Sequence, residues 1–130
     1  MPPDRLPPNT PEEWLNRAKS NLIQAKNKQP GIYLEDLCFN AQQAAEKSIK
    51  ALLLYRNVRF PYVHDLAELI NILEKHGEEV PAQVRDTVKL TDYAVEARYP
   101  GIGEPVTDDE YEEAIKLAEE VVEWVENKIK

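Results

Sequence analysis

Arg59, Tyr62 and His64 lie together in the stretch Arg59-Phe60-Pro61-Tyr62-Val63-His64-Asp65-Leu66, and nowhere else does the chain cluster a histidine, an arginine and a tyrosine. Those residue types suit work on a phosphate. An imidazole can take or give a proton near neutral pH, and a guanidinium offers a planar fork to phosphate oxygens. From position 47 to position 59 the chain carries Lys47, Lys50, Arg56 and Arg59 and no acid, so a phosphate would meet the protein there. A plainer reading stays open for each residue. His64 can simply open a helix, with its ring bonded to backbone or solvent, and Arg59 can be a solvated loop residue. Gln43, Glu46 and Lys47 either line a nucleotide pocket or form an exposed or interface edge of the helix that carries them.

That helix must position the cluster. Leu34, Leu37, Ala41, Ala44, Ala45, Ser48, Leu52 and Tyr55 recur every three or four residues, and Cys38, Ile49 and Leu53 widen the apolar side. This spacing predicts a central helix over 32–57, covered by neighbours on most sides. Gln42, Gln43, Glu46, Lys47 and Lys50 are expected to leave it one polar edge.

The other elements follow from start and stop signals. Residues 1–9 are too proline-rich for regular structure and form an N-terminal arm. Thr10-Pro11-Glu12-Glu13 opens a helix through a capping box, and that helix carries Trp14, Leu15, Ala18, Leu22, Ile23 and Ala25 until Gln29-Pro30-Gly31 stops it. A proline-containing connection over 58–63 leaves Arg59 outside regular helix. A third helix starts at His64 or Asp65 and ends at His76-Gly77. A fourth starts near Pro81, with Val84, Val88, Leu90 or Thr91, Ala94 and Val95 facing inward, and ends before Tyr99-Pro100-Gly101, where Arg98-Tyr99-Pro100 makes a packed helix-end turn. Thr107-Asp108-Asp109-Glu110 caps a last helix. The expectation is an all-α, up-and-down five-helix bundle, four long helices plus one short, forming one domain over 10–130. Trp14, Tyr33, Tyr55, Tyr93, Tyr111 and Trp124 are its aromatic core candidates, and any exposed remainder would form a dimer seam.

Composition narrows the function. The net charge of −8 on 130 residues argues against a protein that coats nucleic acid by charge alone. Nine acids against three lysines over 108–130 hold most of that excess; a solvated helix face is the expected reading, a docking face for a basic partner the other. Cys38, the single cysteine, reads as a core residue in a reduced compartment. No signal peptide or apolar run of membrane length is present, so a soluble, cytoplasmic protein is expected. No ligand spacing suggests a metal, and no glycine-rich phosphate loop or cofactor motif occurs.

Asn40-Ala41-Gln42-Gln43-Ala44-Ala45-Glu46-Lys47-Ser48-Ile49-Lys50-Ala51-Leu52, then His64-Asp65-Leu66, then Ala97-Arg98-Tyr99-Pro100-Gly101 before an acidic last helix, resembles the HEPN domain family in order and spacing. The resemblance implies a helical bundle that dimerises and that is often encoded beside a minimal nucleotidyltransferase in a toxin–antitoxin-like pair. In catalytic members an arginine and a histidine with four to six residues between them form a composite site across the dimer that cleaves RNA without a metal. Arg59 and His64 match the shortest version. On that implication Tyr62 orients the phosphate, Lys50 or Arg56 draws in the RNA backbone, and Gln43 and Lys47 line the bound nucleotide. Phe60 stands where active members usually carry a polar residue. The resemblance therefore implies two functions: a metal-independent endoribonuclease, or a non-catalytic module that binds nucleotide or substrate for a partner nucleotidyltransferase.

Overall fold

The computed structural model describes residues 6–7, 9–96 and 105–129. The Arg98-Tyr99-Pro100 turn and most of the proline arm lie outside the described residues. Among those described there are helices and no strand: α1 (Pro11–Ala25), α2 (Leu34–Tyr55), α3 (Leu66–Lys75), α4 (Ala82–Arg85) running into a 3₁₀ turn (Asp86–Leu90), α5 (Tyr93–Glu96) and α6 (Asp108–Ile129). The bundle is built on α2, which packs most extensively against α1 and α6. Ala41, Ala44, Ala45 and Ala51 are fully buried along it, and their small side chains let the neighbouring backbones come close.

Two caps behave as their sequences predict, one with a change of partner. Thr107 and Glu110 form the full reciprocal box at the start of α6, Thr107 N–H to Glu110 Oε1 at 3.0 Å and Glu110 N–H to Thr107 Oγ1 at 3.1 Å. At α1, Thr10 Oγ1 accepts the Glu13 N–H, but the Glu13 carboxylate takes the Leu6 N–H at 3.0 Å and Arg17 Nε at 2.7 Å. Glu13 therefore ties the incoming arm to the helix.

The predicted fourth helix is broken. Val84, Thr87 and Leu90 are buried while Val88 is exposed, a spacing of three that suits the 3.0 residues per turn of a 3₁₀ helix. The apolar pattern alone favours the Val84–Val88 spacing of four. Thr87 makes the difference. Its hydroxyl donates to the Val84 carbonyl, so a polar side chain can be buried where a valine is expected.

Of the aromatic residues, Tyr111 is buried and donates its hydroxyl to the Ala25 carbonyl at 2.6 Å, satisfying the C-terminal end of α1 from α6. Trp14, Tyr93 and Trp124 pack partly buried against the core. Tyr33 and Tyr55 are exposed, as is Ile23 on α1. No helix among the described residues is long and apolar enough to cross a membrane.

Candidate functional site

The site depends on how α2 ends. Asn57 adopts φ +58°, and the amides of Asn57 and Val58 donate to the carbonyls of Leu54 (3.0 Å) and Leu53 (2.9 Å). This left-handed, doubly bonded stop reverses the chain. The connection then runs back along α2, anchored by buried Val58 and by Phe60 and Val63 against the core. Asp65 ends it by capping α3, its side chain accepting the Ala67 N–H at 2.9 Å. His64, one residue before the cap, is thereby laid beside the middle of α2.

What it meets there is Glu46. His64 Nδ1 lies 2.9 Å from Glu46 Oε1 and 3.1 Å from Oε2. Gln42 Nε2 donates to Oε1 at 2.9 Å and Lys50 Nζ to Oε2 at 3.0 Å. Gln42, Glu46 and Lys50 stand one helical turn apart and are all buried, Glu46 with 3 % of its surface exposed. The expected polar edge of α2 is in part a buried network instead. A carboxylate only accepts, so Nδ1 of His64 carries the hydrogen in this pair and the lone pair of the neutral ring sits on Nε2. The His64 side chain is half-exposed. This arrangement can hold an imidazole in the orientation and tautomer of a general base.

Lys50 does not reach solvent. Besides Glu46, its ammonium faces the rings of Trp14, Phe60 and Tyr62, with Nζ 5.8, 5.9 and 5.3 Å from their centroids. Caged in this way it fixes Glu46 and neutralises it, rather than meeting a substrate directly.

The other residues singled out by sequence fall in different places. Tyr62 is 90 % exposed and lies edge-on to His64, centroids 6.3 Å apart. Arg59 is exposed in the same connection and, among the described residues, has no hydrogen bond or ion pair. Gln43 extends the network outward, its Nε2 donating to Gln42 Oε1 at 2.7 Å. Lys47 turns toward α1 and donates to Asn21 Oδ1 at 2.8 Å. Partial burial, with Arg17 and Lys50 nearby, holds its ammonium below the usual lysine range against the opposing pull of Glu46. Arg56 is drawn to Glu78, Nε to Oε1 at 2.6 Å, with Lys128 on the other oxygen; this is a separate cluster from that of His64. No group of three or more metal-ligating side chains exists among the described residues.

The family model of the HEPN domain matches residues 11–128. This chain belongs to the HEPN family. Two solved structures share its fold. TT1696 from Thermus thermophilus is 34 % identical with a TM-score of 0.80, the match covering 92 % of this chain and 98 % of that one. ST0689, an archaeal HEPN homologue, is 28 % identical with a TM-score of 0.73, covering 93 % and 98 %. No curated protein matches the chain. In this HEPN protein sequence reasoning misplaces Gln42, Glu46 and Lys50 together, expected on a polar edge and found buried in one network with Glu46 at its centre. The available signal is the i, i+4, i+8 ladder of Gln42, Glu46 and Lys50 on a helix too enclosed to spare a wet face.

Proposed function

We propose that this HEPN protein is a metal-independent endoribonuclease, acting as a cytoplasmic homodimer and paired with a minimal nucleotidyltransferase that neutralises it. The observation that carries the reading is the His64–Glu46 pair. A buried carboxylate at 2.9 Å from Nδ1 prepares Nε2 to accept the proton of a ribose 2′-hydroxyl. The freed 2′-oxygen attacks the adjacent phosphorus, the 5′-oxygen of the next nucleotide leaves, and a second copy of His64, brought by the other subunit, returns a proton to it. The products are a 2′,3′-cyclic phosphate end and a free 5′-hydroxyl. Arg59, exposed and uncommitted among the described residues, supplies the fork that meets the charge growing on the phosphate.

A second reading has its own support. Phe60 turns inward over Lys50 where active relatives usually present a polar side chain. It favours a non-catalytic module that holds nucleotide or substrate for the partner enzyme.

RNA cleavage by the purified protein under chelation, beside His64→Ala and Arg59→Ala, separates the two. Loss of a 2′,3′-cyclic product by about 100-fold or more in His64→Ala is expected for general acid–base work, with Arg59→Ala also inactive. A folded, dimeric wild type that leaves RNA intact sinks the ribonuclease and leaves the binding module.

A further inference from the structure

Tyr62 is the most exposed of the large hydrophobic side chains among the described residues, yet its surroundings are tightly held. Val58 is buried on one side of it in sequence, and Phe60 and Val63 pack against the core. The Val63 N–H donates to the Pro61 carbonyl at 2.9 Å, closing a three-residue turn with Tyr62 at its apex. The ring is thus presented to solvent by fixed backbone geometry. Lys50 Nζ lies over it at 5.3 Å from the centroid, which accounts for one face, and the edge contact with His64 sets its bearing. With 90 % of the residue exposed, the ring keeps a face open to solvent.

We infer that this open face is a stacking platform for a nucleobase at the cleaved step, an assignment that rests on the ribonuclease reading and names how its substrate is gripped. Every base has a π face, so such a platform accepts any sequence, and purines, being larger, gain more than pyrimidines. A ribose is joined directly to its base. A base seated on Tyr62 therefore keeps its 2′-hydroxyl beside the neighbouring imidazole. The buried cation behind the ring holds the platform in place through the cation–π contact. The phosphate grip and the base grip are then separate: Arg59 for charge, Tyr62 for the ring.

The test measures binding and does not need turnover. The probes are short 2′-O-methyl oligoadenylate and oligouridylate, which cannot be cleaved by 2′-oxygen attack, and an oligomer of the same length with abasic sites. Wild-type protein should bind oligoadenylate most tightly and the abasic oligomer least. Tyr62→Ala should weaken oligoadenylate binding by about tenfold or more, the loss expected for one stacked base, and should bind the abasic oligomer as wild type does. Tyr62→Phe, which keeps the ring, should restore most of the loss. Equal affinity of wild type and Tyr62→Ala, both folded, overturns the inference even if RNA is cleaved. Subunit dissociation in Tyr62→Ala with unchanged affinity per folded chain also overturns it, because the ring is then a seam residue. A wild type that fails to bind any of the probes does the same. Tyr62-dependent binding without cleavage would remove the ribonuclease and keep the platform.

Discussion

Glu46 gathers the buried polar contacts of the candidate site onto one carboxylate. It accepts from Gln42, Lys50 and His64 at once, and it is the only acid paired with the buried Lys50 ammonium among the described residues. Removing it strands that charge. Glu46→Ala should lower stability by about 3–5 kcal/mol, the usual consequence of breaking a buried pair from one side, and urea denaturation would measure it. Replacing both partners, Glu46→Leu with Lys50→Met, should recover only part of the loss, since it removes the stranded ammonium but leaves the Gln42 amide and His64 Nδ1 without their acceptor. A single Glu46→Ala that costs under about 1 kcal/mol would show that water reaches Lys50 and that the network is looser than its distances. The site is half legible at this scale. His64, Arg59 and Tyr62 stand out by type, because few residues can do their chemistry. Glu46 does not, because a charged side chain on a helix belongs by default to water, and only the fold says otherwise.

Between residues and fold, the ends of the helices decide where the site residues go. Gly77 ends α3 as Asn57 ends α2: at φ +94°, the amides of Gly77 and Glu78 donate to the carbonyls of Glu74 and Leu73, both at 3.1 Å. That stop aims Glu78 at Arg56 and Lys128. A Cβ on Gly77 would touch nothing within 4 Å, so Gly77→Ala should cost only the left-handed backbone penalty, about 1–2 kcal/mol, with α3 otherwise intact by circular dichroism. No measurable loss in urea would mean that the chain relaxes out of this conformation. Helix α2 and both threonine caps are readable because period and cap chemistry are local. The Asn57 reversal leaves no comparable mark. Asparagine tolerates positive φ without requiring it, and so the return of the connection onto α2 is invisible in the sequence. The 82–96 segment misleads for a related reason: threonine at position 87 looks polar until its own backbone satisfies it.

For the molecule as a whole, the acidic last helix is less of a free surface than its composition implies. Lys19, Lys26 and Lys28 reach across to Glu126, Glu119 and Asp108, and Lys89 to Glu113. These exposed pairs add little stability each, but they commit part of the acidic face to the bundle itself. Stability should instead answer to alkali. Burial pushes the Cys38 thiol up to about 12 from 9.0 and the Tyr93 hydroxyl to about 12 from 10.0, and it raises Tyr111 as well. The unfolded chain gives up these protons first, so it is increasingly favoured as pH climbs from the ordinary thiol value toward the folded one. Full stability below about pH 9 should decline between there and about pH 12. The slope of the urea midpoint should be shallower in Cys38→Ala and Tyr93→Phe; an unchanged slope in both would place the alkaline loss elsewhere. The bundle also carries its own optical reporters. Its two tryptophans each lie near a lysine ammonium, Trp14 with Lys50 under the site and Trp124 with Lys128 on α6. With Trp124 exchanged for phenylalanine, the remaining indole emission comes from beneath the His64 cluster alone, so ligand arrival there can be followed as fluorescence in the unlabelled protein.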